Sequence, residues 1–200
     1  MNPEKHAELK MLRTLLICLL APAGIALAQD NPLSGYTKSF YGEMKAVLLA
    51  SAEKVPEVSY NFKPTETVRS FGQVVGHVAD AQYLLCSIVL AEKNPALNIE
   101  QSKTSKADLI GALKAAFAYC DRAYDGMTDA SAARAVKLFG GDSSRLGVLT
   151  VNNMHLAEHY GNLVVYMRLK HIVPPTSEPG SRVIALGAIV APLKPKRLHA

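Results

Sequence analysis

Residues 70–92 read SFGQVVGHVADAQYLLCSIVLAE. Phe71, Val74, Val75, Val78, Leu85 and Val89 recur mostly at three- and four-residue steps, which draws an apolar stripe along one side of an α-helix. Ser70 followed three residues later by Gln73 spells a capping box, in which each side chain satisfies a backbone N–H of the other. Asn94-Pro95 stops the pattern, because the residue before a proline is pushed out of the helical region. One polar residue, His77, stands beside the stripe between Val74 and Ala81.

Three more segments carry the same periodicity. Residues 33–54 place Phe40, Met44, Val47 and Leu48 at helical spacing before Pro56. Ser105 is a good N-cap, with Asp108 in the first turn, for a helix whose stripe is Leu109, Leu113, Ala116, Phe117, Cys120 and Tyr124 and whose stop is Gly126. Residues 146–171 form the fourth, closed by Pro174-Pro175. Residues 56–69 and 93–104 read as connections, and 127–147 as a short helix over 130–138 followed by the turn Gly140-Gly141-Asp142. Four helices of this length predict an all-α fold, a four-helix bundle spanning residues 29–179. A chain of 200 residues, 49% hydrophobic and 20% charged, suits one such domain and excludes a disordered or collagen-like protein.

The two ends differ from the body. Residues 14–27, TLLICLLAPAGIAL, follow Lys10 and Arg13 and lead into Ala26-Leu27-Ala28. That order is a secretory signal peptide over residues 1–28, and export is expected with cleavage after Ala28, to the periplasm or the medium. The net charge of +5 comes from the ends: residues 29–179 balance to zero, and 180–200 carry Arg182, Lys194, Lys196 and Arg197 with no acid. A neutral body gives nucleic acid no electrostatic footprint. The basic tail reads as a solvated terminus, and its apolar stretch 183–193 is too short to span a bilayer, so no transmembrane span is expected in the mature chain.

His155 and His159 lie four residues apart on the fourth helix. Four residues rotate the helix to within about 40° and advance it ~6 Å, so both rings can reach one ion. Such a pair alone is a weak sign of metal, and a lone His77 is equally a boundary histidine bonded to a carbonyl. Three inward imidazoles on two helices of a small bundle make one site more economically. Three protein ligands leave a coordination position open, as in catalytic sites. Asp80, Asn152 and Asn162 each stand three residues from one of these histidines and are candidates to orient the rings from behind. Gly161 inside a helix costs about 1 kcal/mol against Ala, which suggests another helix approaching closely there. There is no G-x-S-x-G, P-loop, G-x-G-x-x-G or C-x-x-C motif.

Gly76-His77-Val78-Ala79-Asp80, followed by His155-x-x-x-His159-Tyr160-Gly161-Asn162, resembles the signature of the DinB/YfiT-like proteins. The resemblance covers roughly residues 33–175. It implies a bundle of up-down-down-up topology, a divalent metal held by His77, His155 and His159 (zinc or nickel), and homodimers. It also implies a metal-dependent hydrolase or transferase whose small-molecule substrate the sequence does not name. The alternative is a non-catalytic helical module that binds a ligand or partner in the same cleft. Under that topology the second and third helices run parallel, which brings Cys86 and Cys120 nearly level. A disulfide is then open to them, yet both also fit their apolar stripes as buried thiols, and free thiols are the expectation.

Overall fold

The structure, a computed structural model, describes residues 31–96, 98–179 and 181. The signal-like segment 1–28 and the apolar stretch 183–193 lie outside the described residues. The long helices are α1 (Pro32–Lys54), α2 (Phe71–Leu90), α4 (Lys106–Asp125) and α6 (Arg145–Leu169). Between them come the short helices α3 (Ile99–Ser102) and α5 (Asp129–Ala132) and a hairpin of β1 (Ala135–Leu138) and β2 (Gly141–Ser144).

Each long helix starts where its sequence supplies a partner for the orphaned N–H groups of its first turn. Ser70 and Gln73 complete both halves of their capping box on α2. Ser105 Oγ accepts the Asp108 N–H on α4, and Ser144 Oγ accepts the Gly147 N–H on α6. On α1 the cap comes from afar: Asp129 accepts the N–H groups of Leu33 and Ser34 and the Ser34 hydroxyl. The Ser34 backbone bond, with its hydroxyl, holds the Asp129 carboxyl below the usual carboxylate range.

Contacts along the helices give their directions. Leu109 lies against Gly72 and Gly76 near the starts of α4 and α2, and Cys86 is bonded to Cys120 near their ends, so these two helices are parallel. Helix α4 is antiparallel to α1, since Lys106 donates to the Glu53 and Val55 carbonyls while Tyr41 donates to that of Phe117. Helix α6 is antiparallel to α2: Gln82 meets Asn152, and Tyr166 donates to the Arg69 carbonyl just before α2. By composition α2, 20 residues long, is apolar enough to cross a bilayer. Most of its apolar residues are instead buried in the core, with Phe117, Leu113, Leu149 and Leu156 of the neighbouring helices.

Two sequence expectations change here. The short helix expected over 130–138 ends at Ala132, and residues 135–138 form β1. Alternate residues of β1 turn inward, and the Leu138–Gly141 pair closes a two-residue turn through Phe139 (φ 51°) and Gly140 (φ 83°). Glycine takes a positive φ freely, whereas phenylalanine there costs about 1–2 kcal/mol. The free thiols also give way: Cys86 and Cys120, both fully buried, form a disulfide with Cα atoms 5.3 Å apart. Parallel helices at equal height put both sulfur atoms in one core layer.

Asn152, a residue expected to support His155, is used in the core. It is fully buried and exchanges two amide hydrogen bonds with Gln82, at 2.7 and 3.1 Å. It also donates to Tyr124 Oη at 3.0 Å, and Tyr124 donates in turn to Asn153 at 2.8 Å. Every polar group in this chain of contacts has a partner, so burial costs little.

Removing one member leaves the others stranded. Asn152→Ala is expected to lower the free energy of unfolding by about 1–3 kcal/mol, the cost of an unsatisfied buried amide. Urea unfolding checks this, and an unchanged midpoint contradicts it. For the disulfide, protein denatured without reductant is expected to show no reactive thiol from Cys86 or Cys120. Reactive thiols at these two positions contradict the bond.

Candidate metal centre

His77 projects from the middle of α2, and His155 and His159 from successive turns of α6. Their Nε2 atoms converge. His155 Nε2 lies 3.1 Å from His77 Nε2 and 3.0 Å from His159 Nε2, and the three donors fall within 4.8 Å of one another. Three nitrogens bound tetrahedrally to one ion at ~2.0–2.1 Å stand about 3.3 Å apart; the two spacings from His155 come close to this, and the cluster could hold a single metal. The rings are partly or fully buried. Burial, with the neighbouring imidazoles, lowers the pKa of His155 and of His159 to about 4. Both are therefore neutral at pH 7, the form that binds a cation.

The group behind His77 was not singled out from sequence. Glu100 Oε2 lies 3.2 Å from His77 Nδ1, while Glu100 Oε1 accepts from Arg69 Nε at 2.9 Å. A carboxylate on Nδ1 keeps the proton there and leaves the Nε2 lone pair for a metal. Glu100 reaches this place because α2 receives α3 closely. A Cβ on Gly76 would stand 2.7 Å from the Glu100 Cα, so only glycine permits the approach. Asp80, expected behind His77, does its work one step further back. Its two carboxylate oxygens accept the N–H groups of Ile99 and Glu100, each at 2.9 Å, and so pin the start of α3.

Asn162 stands 3.3 Å from His159 Nδ1 through its amide nitrogen. Metal binding at Nε2 requires a proton on Nδ1, so in that state Asn162 presents its carbonyl oxygen, reached by turning the amide over. His155 Nδ1 is buried with no hydrogen-bond partner. The ring's only polar contacts among the described residues run from Nε2 to His77 and His159, and Asn152 is turned away towards Gln82. Gly161 receives no close neighbour: it is exposed, and nothing lies within 4 Å of a Cβ built there. The close approach expected at that glycine occurs at Gly76 instead.

Two cavities meet the histidines from opposite sides. One, of about 720 Å³, is polar and is lined by Lys63, Arg69, Glu100, Glu158, His159 and Tyr166 among others. The other, of about 390 Å³, is mainly apolar and includes His77, His155, Leu84, Leu85, Val151 and Phe139.

Residues 41–163 match the DinB superfamily. No curated protein matches the chain. Among solved structures, a DinB-like protein from Bacillus cereus superposes with a TM-score of 0.63 at 15% identity, over 70% of this chain and 93% of its own. A DinB-like protein from Bacillus subtilis gives 0.56 at 24% identity, over 68% and 92%. A conserved protein from Enterococcus faecalis gives 0.57 at 14% identity, over 68% and 95%. At such identities the likeness establishes the fold alone. With the family match running from α1 into α6, over more than half of its residues, the chain belongs to the DinB superfamily.

Proposed function

We propose that this chain is an exported metal-dependent hydrolase or transferase of a small molecule, with one divalent ion, zinc or nickel, on His77, His155 and His159. The observation that carries this reading is the convergence of three Nε2 atoms at metal-compatible spacing, with cavities beside them. A bound ion supplies Lewis acidity at its open position, where it polarises a ligand or lowers the pKa of a bound water or thiol. The chain's own part is orientation and proton handling. Glu100 holds the His77 proton on Nδ1. Of the three carboxylates lining the polar cleft, Glu66 pairs with Lys63, and Glu100 with Arg69 and His77. Glu158 is the one left to take or give a proton. Export is supported by the signal-like order of residues 1–28 and by the buried Cys86–Cys120 disulfide, a bond typical of oxidising compartments.

Elemental analysis of tag-free protein is expected to return one divalent ion per chain. His77→Ala, which breaks the link between the two helices, should abolish stoichiometric binding. His171→Ala, at the end of α6, should not. Glu100→Gln, which keeps the size but removes the charge behind His77, should weaken the affinity about 10–100-fold. Full metal content and affinity in His77→Ala overturn the three-histidine site.

The metal-free protein carries its own signature. The folded pKa values of His155 and His159, about 4, lie below the unfolded value of about 6.5. As pH falls from 6.5 to 4 the unfolded chain takes up protons that the folded chain refuses, so stability is full above 6.5 and declines towards 4. Urea midpoints should therefore drop more steeply over this range in the wild type than in His159→Gln. Parallel slopes refute the buried, neutral state of these rings.

A further inference from the structure

Opposite the polar cleft, the histidines wall a cavity of different character. Ala81, Leu84 and Leu85 of α2 and Val151 of α6 line it, with Phe139 from the hairpin turn. Among its polar lining groups, Asp80 spends both oxygens on backbone N–H groups, and Asn94 accepts the Ala96 N–H. Leu84 is 41% and Phe139 76% exposed, large apolar side chains left open to solvent at its edge. Phe139 is also held at φ 51°, where Asn, Asp or Gly would sit without strain. Strain kept at a cavity edge points to use of that side chain.

Resting on the metal-dependent reading above, we propose the substrate class: an amphiphilic small molecule with a metal-coordinating polar head and a short aliphatic or aromatic arm. The head sits at the three histidines, against the polar cleft. The arm lies between Leu84, Leu85, Val151 and Phe139. Phe139 and Leu84 determine specificity by covering the arm, and take no part in holding the metal. The arrangement selects against wholly polar substrates, which would leave the apolar walls in contact with water.

The test measures calorimetric affinities of the tag-free mature chain for acetohydroxamate, hexanohydroxamate and octanohydroxamate with zinc bound. A parallel arm measures hexanoate, octanoate and decanoate on the zinc-free protein. Affinity should rise about two- to fourfold per added methylene in both arms, more weakly overall without zinc. Phe139→Asn, which places a residue suited to a positive φ in the turn, should fold at least as well. With Leu84→Asn, also at a partly exposed position, it should flatten the chain-length dependence and leave acetohydroxamate binding unchanged. A flat series in the wild type, or an undiminished slope in both variants, overturns the proposal. Metal content of the same samples separates the two readings. A protein that takes up neither zinc nor nickel sinks the metal-dependent function, while the fatty-acid series still decides whether the arm has its place.

Discussion

The reciprocal amide pair between Gln82 and Asn152 sets the register of α2 against α6, and the histidines inherit it. The helices are antiparallel. Five residues back from Gln82 and five forward from Asn152 bring His77 level with Ala157, midway between His155 and His159. One imidazole from α2 then faces two from successive turns of α6, and all three reach a common point. Apolar packing alone tolerates sliding by a turn with modest loss, since one aliphatic side chain replaces another in the contact. A buried amide pair does not, because a shifted register leaves both groups unpartnered at about 1–3 kcal/mol each. The Cys86–Cys120 bond holds α2 against α4 in the same region, with the Cys120 sulfur 3.3 Å from the Gln82 carbonyl.

What could be read in the sequence was what is local. The Ser70–Gln73 box and the Ser105 cap bind groups three residues away, so their spacing alone reveals them. The i,i+4 histidines follow from helix geometry in the same way. Glu100 escaped because it belongs to a four-residue helix with no periodicity, in a stretch that reads as a polar connection. Yet its trace was present one residue before His77. Gly76 in mid-helix carries a propensity cost of about 1 kcal/mol, and the compensating gain is the closeness of α3. Gly161 bears the same cost with no such neighbour, so glycine in a helix signals an approach only where something approaches.

Asp80 and Asn152 show why three-residue spacing from a ligand is an unsafe guide to its supports. Both stand on the correct helices, and both are claimed by stronger needs. Asp80 meets the unpaired N–H groups at the start of α3, and Asn152 is committed to a core too dry to leave an amide idle. The cysteines and the hairpin are misjudged for different reasons. The disulfide joins residues 34 apart in sequence, whereas the hairpin pairs neighbouring segments whose short alternation over 135–138 is lost in a pattern that reads as one helical turn. A stripe accommodates a buried thiol and half of a disulfide equally well, and what distinguishes them is the approach of the two Cα atoms to 5.3 Å on facing helices, which neither stripe encodes.

With an ion held by the three histidines as proposed, the charges around them would favour an anionic head group. Imidazole binds a metal through an uncharged nitrogen, so a divalent cation held by His77, His155 and His159 would keep both of its positive charges. Glu100, the negative charge in contact with His77, has its other oxygen on Arg69, which offsets it. The carboxylate thus orients His77 without spending its full field on the metal. The excess positive charge of such an ion would act in a partly buried setting, where it is screened less than in water. An anionic group there would be bound by charge, and the apolar wall beyond His77 and His155 would distinguish among such groups by what they carry.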